Sequence, residues 1–137
     1  MAITKGYKQL LDEANAAVKG VSPEQAQAMA ASGEALIIDL RDPRELERKG
    51  RIPGTKHCPR GMLEFWIDPE SPYHKPYFAE NRTFIFQCAS GWRSALAART
   101  AKEMGLGPVL NLTGGFSAWK KSGLPVETID GTPWPAT

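Results

Sequence analysis

The chain of 137 residues is poor in the residue types on which disulfide-rich folds and many metal sites depend. It contains two cysteines and two histidines, His57 and His74. Two cysteines are too few for the disulfide framework of a small secreted domain. Two histidines so far apart in sequence indicate neither a metal site nor a general base. We therefore expect neither a disulfide scaffold nor a bound metal.

Charge of one sign and long apolar runs are also scarce. Seventeen Lys and Arg against fifteen Asp and Glu leave a formal net charge of +2, too small an excess to favour nucleic acid or a membrane surface. The first 18 residues include Lys5, Lys8, Asp12 and Glu13, so they resemble neither a signal peptide nor a transmembrane segment. We expect a cytoplasmic protein whose cysteines stay reduced.

Short apolar runs alternate with helix-forming stretches along the chain. This alternation predicts an α/β domain with a mostly parallel sheet of four to five strands flanked by helices. The predicted strands are 18–21, 35–38, 55–58, 83–87 and 108–112, and the predicted helices are 4–17, 22–32, 42–50, 60–67, 93–104 and 116–121. We expect a helical extension (1–17), one domain (18–126) and a tail without regular structure (127–137). The aromatic-rich stretch 68–82 is expected to be an irregular loop, either satellite core or a lid.

The most informative segment is the loop that follows the predicted strand 83–87. Cys88 ends the apolar run, and the small residues Ala89, Ser90 and Gly91 follow it. Small residues let successive backbone amides turn inward as an anion-binding nest, to which the start of the next helix adds unpaired N–H groups. Such surroundings stabilise a thiolate, so we expect the pKa of Cys88 to lie below the ordinary value of about 8.5.

Arg93 strengthens the case for an anion at this loop. A cation in the first turn of a helix lies at the unfavourable end of the helix dipole. Its position is understandable if the Cys88 thiolate or an oxyanion of a substrate lies beside it. We therefore predict Cys88 as a nucleophile, and we predict that the rest of the loop binds the substrate: Ala89, Ser90, Gly91, Trp92, Arg93 and Ser94.

Four segments, in order along the chain, carry a resemblance to a known family. They are Asp39-Leu40-Arg41, the turn Gly50-Arg51-Ile52-Pro53-Gly54-Thr55, the loop from Cys88 to Ser94, and Gly114-Gly115-Phe116 with Trp119. Over about residues 18–126 the chain resembles a single-domain rhodanese, a sulfurtransferase. Arg51 stands where this family usually has histidine. The resemblance implies a three-layer α/β fold with Cys88 at the carboxyl edge of the sheet.

The resemblance also implies a reaction. The cysteine of this family takes the outer sulfur of a donor such as thiosulfate and passes it, as a persulfide, to an acceptor such as cyanide or a protein thiol. No cofactor beyond that transient persulfide is implied. Arg93 would attract the anionic donor, and Arg41 is a second candidate for the anion site unless it forms a structural ion pair with Asp39 or Glu45. We expect a monomer or a weak homodimer.

Other functions remain open from the sequence. Phosphatases and arsenate reductases of the same fold also use a cysteine thiolate in an amide cradle, but their loops place five residues between cysteine and arginine, whereas this chain has four. Gln87 also stands where tyrosine phosphatases often have histidine. A binding module or a sulfur relay on this fold is a further alternative. Cys58 is either a relay or resolving thiol or simply a buried residue.

Overall fold

A computed structural model describes residues 2–135 and arranges them in alternating helices and strands. The helices are α1 (Tyr7–Ala17), α2 (Pro23–Ala31), α3 (Pro43–Lys49), α4 (Leu63–Ile67), α5 (Trp92–Glu103) and α6 (Gly115–Lys121). The strands are β1 (Lys19–Val21), β2 (Ala35–Asp39), β3 (Lys56–His57), β4 (Thr83–Gln87) and β5 (Val109–Leu112). Short 3-10 turns cover Arg60–Met62 and Pro76–Ala79. No helix of residues 2–135 is both long and apolar enough to span a bilayer.

Helices α2 and α3 begin where the local sequence predicts. Ser22 accepts a hydrogen bond from the amide of Gln25 while the Gln25 side chain accepts one from the amide of Ser22. Asp42 and Glu45 form the same reciprocal capping box at the start of α3. Each box satisfies two backbone donors that the first turn of a helix leaves unpaired. Because the box depends on residue types three positions apart, the starts of these helices can be predicted from the sequence.

All the strand pairs of the sheet are parallel, in the order β1-β5-β4-β2-β3. Asp39 at the end of β2 lies in register with Gln87 at the end of β4. The residues that follow these strands, Leu40 and Cys88, therefore emerge at the same edge of the sheet. The predicted fold class is confirmed, and within residues 2–135 the sheet has five strands.

Side-chain alternation along β2 and β4 divides the core into two layers. Leu36, Ile38, Phe84 and Phe86 pack with α4 and α5 on one face, whereas Ala35, Ile37 and Ile85 pack with α2 and α6 on the other. Both central strands are apolar on both faces because helices cover both faces, as in other parallel sheets. The result is the predicted three-layer arrangement.

Some element boundaries differ from the sequence prediction. Helix α1 begins at Tyr7 rather than at residue 4, because Gly6 takes the N-cap position in an extended conformation. Helix α5 begins one residue early, at Trp92, because Gly91 adopts a left-handed conformation (φ 99°) as its N-cap. The predicted helix 60–67 divides into a 3-10 turn and α4. The boundaries of helices are the part of an element that sequence patterns predict least accurately.

The aromatic segment is partly core and partly exposed. Phe78 is buried against Phe84, and Trp66 and Tyr77 pack against the same cluster. Phe65 and Tyr73 are more than half exposed. A 3-10 turn at 76–79 places Phe78 inward, so the stretch 68–82 is less irregular than predicted.

The two ends of the described chain pack on the domain. Leu11 and Ala14 of α1 lie against Ala95 of α5. In the tail, Glu127 pairs with Arg51 through reciprocal backbone hydrogen bonds and a side-chain ion pair of 2.8 Å. The tail that looked featureless in sequence is therefore anchored to the turn that follows α3.

A buried ion pair ties the end of β2 to the end of α3. The Arg41 guanidinium binds both carboxylate oxygens of Asp39, with a shortest distance of 2.8 Å, and donates to the carbonyl of Gly50 at 2.9 Å. The side chains are 1% and 0% exposed. The pair thus fills a site where one charge without the other would be strongly unfavourable.

We expect Asp39→Asn to lower the free energy of unfolding by about 3 kcal/mol, because it leaves the Arg41 guanidinium buried without a counter-charge. Urea unfolding followed by circular dichroism measures the change. Asp42→Asn is the matched control, since Asp42 is exposed and asparagine also caps helices; it should unfold at nearly the wild-type urea concentration. Equal stability of the two variants would contradict a structural role for the Asp39–Arg41 pair.

Candidate active site

The loop after β4 curls so that its own backbone amides face the Cys88 sulfur. The amide of Gly91 lies 3.2 Å from Cys88 Sγ, and the amide and hydroxyl of Ser94 each lie 3.4 Å from it. Gly91 and Ser94 belong to the N-cap and first turn of α5. The sulfur therefore occupies the position at a helix N-terminus that favours an anion.

This geometry acts on the ionisation of the thiol. Burial by itself raises the pKa of Cys88, but the Ser94 hydroxyl and the amides of Ser94, Gly91 and Ser90 outweigh burial and lower that pKa below its ordinary value. Hydrogen bonds given to the thiolate stabilise it over the thiol. The sequence predicts a lowered pKa for this residue, and the hydrogen bonds to its sulfur account for that direction.

A polar side chain from the neighbouring strand orients the cradle. The Ser94 hydroxyl lies 2.6 Å from Asn111 Oδ1, and Asn111 Nδ2 donates to the carbonyl of Gly91 at 3.2 Å. Asn111 therefore holds both ends of the segment from Gly91 to Ser94. Sequence reasoning missed this residue, although a lone amide in the apolar run 109–112 was a signal for it.

The first turn of α6 holds the other end of the loop. The amide of Phe116 donates to the carbonyl of Cys88 at 2.8 Å, and the amide of Ser117 donates to the carbonyl of Ala89 at 3.0 Å. Gly115 has φ 61°, and a Cβ atom on it would lie 2.5 Å from the Cys88 carbonyl oxygen. Gly115, the second glycine of the pair that the sequence predicts as a turn, is therefore needed for close approach to the loop.

Arg93 already has an anionic partner in the structure. Its guanidinium forms a two-point ion pair with the Glu45 carboxylate, at 2.7 and 2.9 Å. Hydrogen bonding to Glu45 raises the pKa of Arg93, and hydrogen bonding to Arg93 lowers the pKa of Glu45 despite its partial burial. The sequence predicted a thiolate or a substrate anion beside Arg93 and did not foresee that α3 supplies a carboxylate.

Trp92 points away from the cradle. Its side chain is 56% exposed, and its ring lies 5.5 Å from the Tyr7 ring, centroid to centroid. Tyr7 is the first residue of α1, so the N-terminal helix reaches the border of the loop. Ala89 and Ser90 are less buried than Cys88 and form the open side of the loop.

Arg41 does not face solvent at this site. It is 1% exposed, bonded to Asp39, with its guanidinium carbon 4.2 Å from the centre of the Phe116 ring. The geometry matches the ion-pair alternative for Arg41, with Asp39 as the partner, because Glu45 binds Arg93 instead. Nε and Nη2 of Arg41 are held by Asp39 and by the carbonyl of Gly50, so these two atoms are not available to a small anion.

The other residues singled out in sequence lie apart from the cradle. Cys58 is fully buried in the core with Leu63, and burial raises its pKa to about 12, so it is a poor nucleophile. His57 and His74 contact backbone carbonyls of Arg41 and Trp66. Among residues 2–135 no three candidate ligands gather as a metal site.

Fold and site together define an α/β protein with a thiolate cradle at the carboxyl edge of a parallel sheet. The family model for the rhodanese-like domain matches residues 22–122, and the chain belongs to this family. The match lies inside the predicted domain 18–126 and leaves α1 outside it. Both the family and the fold inferred from the sequence are confirmed.

Named relatives include sulfurtransferases. The chain is 31% identical to a sulfurtransferase of Allochromatium vinosum over 80% of this chain and 94% of that protein. It is 32% identical to the thiosulfate sulfurtransferase GlpE of Pseudomonas syringae over 82% of this chain and 96% of that protein. A solved structure from Rhodopseudomonas palustris, described as a protein of unknown function and possible tyrosine phosphatase, is 54% identical with a TM-score of 0.89, covering 93% of this chain and 98% of that one.

We expect Ser94→Ala to raise the pKa of Cys88, because the variant removes the hydroxyl that stabilises the thiolate. The rate of iodoacetamide alkylation follows the thiolate fraction, so its rise should occur at higher pH in the variant than in wild type. Ser122→Ala, an exposed serine at the end of α6, is the control and should titrate like wild type. An unshifted alkylation profile in Ser94→Ala would show that the hydroxyl does not act on the sulfur.

Proposed function

We propose that the protein transfers a sulfane sulfur from thiosulfate or a similar small anionic donor to a thiophilic acceptor, through a persulfide on Cys88. The observation that carries this proposal is the pair of backbone amides, from Gly91 and Ser94, within 3.4 Å of Cys88 Sγ. The Ser94 hydroxyl lies at the same distance and shares its single proton between the sulfur and Asn111 Oδ1. These donors lower the pKa of the thiol and so increase the fraction present as the nucleophilic thiolate. The sulfurtransferases among the relatives support the same chemistry.

In the first half-reaction the Cys88 thiolate attacks the outer sulfur of thiosulfate. A new S–S bond forms to Cys88, the S–S bond of the donor breaks, and sulfite leaves with the electron pair. The nearby helix N-terminus then stabilises the persulfide as it stabilised the thiolate. The acceptor removes the outer sulfur in a second half-reaction, so the kinetics should be ping-pong.

A second candidate is cysteine-dependent phosphate-ester hydrolysis, favoured by the structural neighbour described as a possible tyrosine phosphatase. The loop argues against it. Only four residues separate Cys88 from Arg93, and the amides of Gly91 and Ser94 are directed at the sulfur itself. A phosphoryl group bound above Sγ would need donors for its own oxygens as well.

The first test is intact mass spectrometry of the reduced protein after incubation with thiosulfate. We expect a gain of one sulfur atom on wild type, its loss on adding cyanide, and no gain on Cys88→Ser, because serine keeps the shape but is not a thiolate. Cys58→Ser is the matched control and should still gain the sulfur, since burial keeps that thiol protonated.

Two outcomes would contradict this proposal. A sulfur gained equally by Cys88→Ser would place the acceptor atom elsewhere. No adduct from thiosulfate, together with turnover of phosphate esters by wild type but not by Cys88→Ser, would establish the phosphatase instead.

The Glu45–Arg93 pair bears on donor binding. Glu45 occupies one N–H group on each terminal nitrogen of Arg93, and it adds a negative charge to the border of the loop. A dianionic donor must therefore compete with Glu45 for Arg93. Glutamine at position 45 would keep the capping box of α3 while removing the charge.

We expect opposite effects on the KM for thiosulfate from the two partners. Arg93→Ala should raise it, by roughly tenfold, through loss of a charge-assisted contact. Glu45→Gln should lower it, by roughly threefold at low ionic strength, through loss of competition and repulsion. Steady-state kinetics with cyanide in excess measure both values. Arg44→Ala, an exposed arginine on α3, is the control with KM near wild type; a raised KM in Glu45→Gln would mean that Glu45 positions Arg93 for the donor instead.

A further inference from the structure

A groove beside the Cys88 loop collects basic side chains from two helix ends. It encloses about 560 Å³, within the rough range of 300–1,000 Å³ of small-molecule sites. Ala89, Phe116 and Ser117 contribute to its wall. Four exposed cations from the last turns of α3 and α6 also line it: Arg48, Lys49, Lys120 and Lys121. We call this site the basic groove.

The positive charge of the basic groove is not neutralised by nearby carboxylates. Two further charged residues line it, and both have partners: Arg41 binds Asp39, and Glu45 binds Arg93. None of the four cations forms an ion pair within residues 2–135. Because the whole chain has a net charge of only +2, the rest of the molecule is net negative. Attraction for anions is therefore concentrated at this groove.

Basic residues in the last turn of a helix are common because they offset the helix dipole. That explanation accounts for each pair of cations separately. It does not account for the two helix ends lining one groove together with Ala89, the neighbour of Cys88 in the chain. An anionic molecule in this groove would therefore lie next to the loop that carries the nucleophile.

The size of the basic groove indicates an anionic ligand other than the sulfur donor. Thiosulfate is too small to fill a groove of about 560 Å³. The three lysines and one arginine are on separate flexible side chains, so they are suited to a ligand whose negative charges are spread over several groups. A single compact phosphate is usually held by converging backbone amides. A small molecule with several carboxylates fits these features.

We propose that the basic groove binds a small thiol carrying two or more carboxylates and presents its sulfur to the Cys88 persulfide. The proposal rests on the sulfurtransferase function proposed above and names the acceptor. The acceptor thiolate attacks the outer, protonated sulfur of the persulfide. The S–S bond to Cys88 breaks, the electron pair stays on Cys88 as the thiolate, and the acceptor leaves as its persulfide.

The test compares two acceptors after loading with thiosulfate. Mercaptosuccinate carries two carboxylates, and 2-mercaptoethanol carries none. The measured quantity is the ratio of their kcat/KM values, in which differences in donor loading cancel. We expect the double variant Lys120→Gln/Lys121→Gln to lower this ratio roughly fivefold to tenfold, as removal of two partly exposed ion pairs would. The ratio in wild type should also fall as salt is added.

Lys19→Gln/Lys102→Gln is the control, since both lysines lie away from the groove and the net charge changes equally. Its ratio should match wild type. Equal ratios in all three proteins would overturn the groove proposal while persulfide formation, followed by mass, still upheld the sulfurtransferase. Absence of the persulfide would overturn the sulfurtransferase itself.

A second measurement separates a small acceptor from an acidic protein segment. Tricarballylate has three carboxylates and no thiol, and we expect it to inhibit transfer to mercaptosuccinate in wild type and less in Lys120→Gln/Lys121→Gln. Inhibition by hexaglutamate without inhibition by tricarballylate would overturn the proposal in favour of an acidic protein partner.

Discussion

Backbone amides from the first turns of two helices hold the loop on which the rest of the site depends. Those of α5 face the Cys88 sulfur, and those of α6 bind the carbonyls of Cys88 and Ala89. The same kind of group therefore both activates the thiol and fixes the loop that carries it. Because both helices start at the carboxyl edge of one parallel sheet, the topology of the sheet supplies this arrangement directly.

Two ion pairs lie near the loop, and one of them is more deeply buried than the other. The Asp39–Arg41 pair is enclosed and ties the end of β2 to Gly50, whereas the Glu45–Arg93 pair is partly exposed. Burial matters here, because separating a buried pair leaves an uncompensated charge while an exposed one is solvated. The cations of the basic groove form a third class, without carboxylate partners among residues 2–135. In the functions proposed above, the structural, donor-binding and acceptor-binding roles belong to different charged groups.

Much of the fold was predictable from local signals. These signals are the capping boxes at Ser22 and Asp42 and the apolar runs of β2 and β4. Each involves only a few consecutive residues, so each can be recognised in the sequence. The starts of α1 and α5 were less accurate, since a glycine N-cap gives no side-chain signal. The contact of the tail with Arg51 was not predictable, because it joins residues far apart in the chain.

The candidate site, like the fold, has a part that could be predicted from the sequence and a part that could not. Cys88, its small neighbours and Arg93 lie within one short segment, so the sequence by itself determined the length of this loop and the family, and it predicted the nucleophile. Tertiary structure alone decided that Asn111 orients Ser94, that Glu45 occupies Arg93, and that the ends of α3 and α6 share a groove. The physical reason is distance along the chain. Side chains and backbone amides within one turn constrain each other whatever the fold, whereas partners from separate strands and helices meet only when the sheet has assembled.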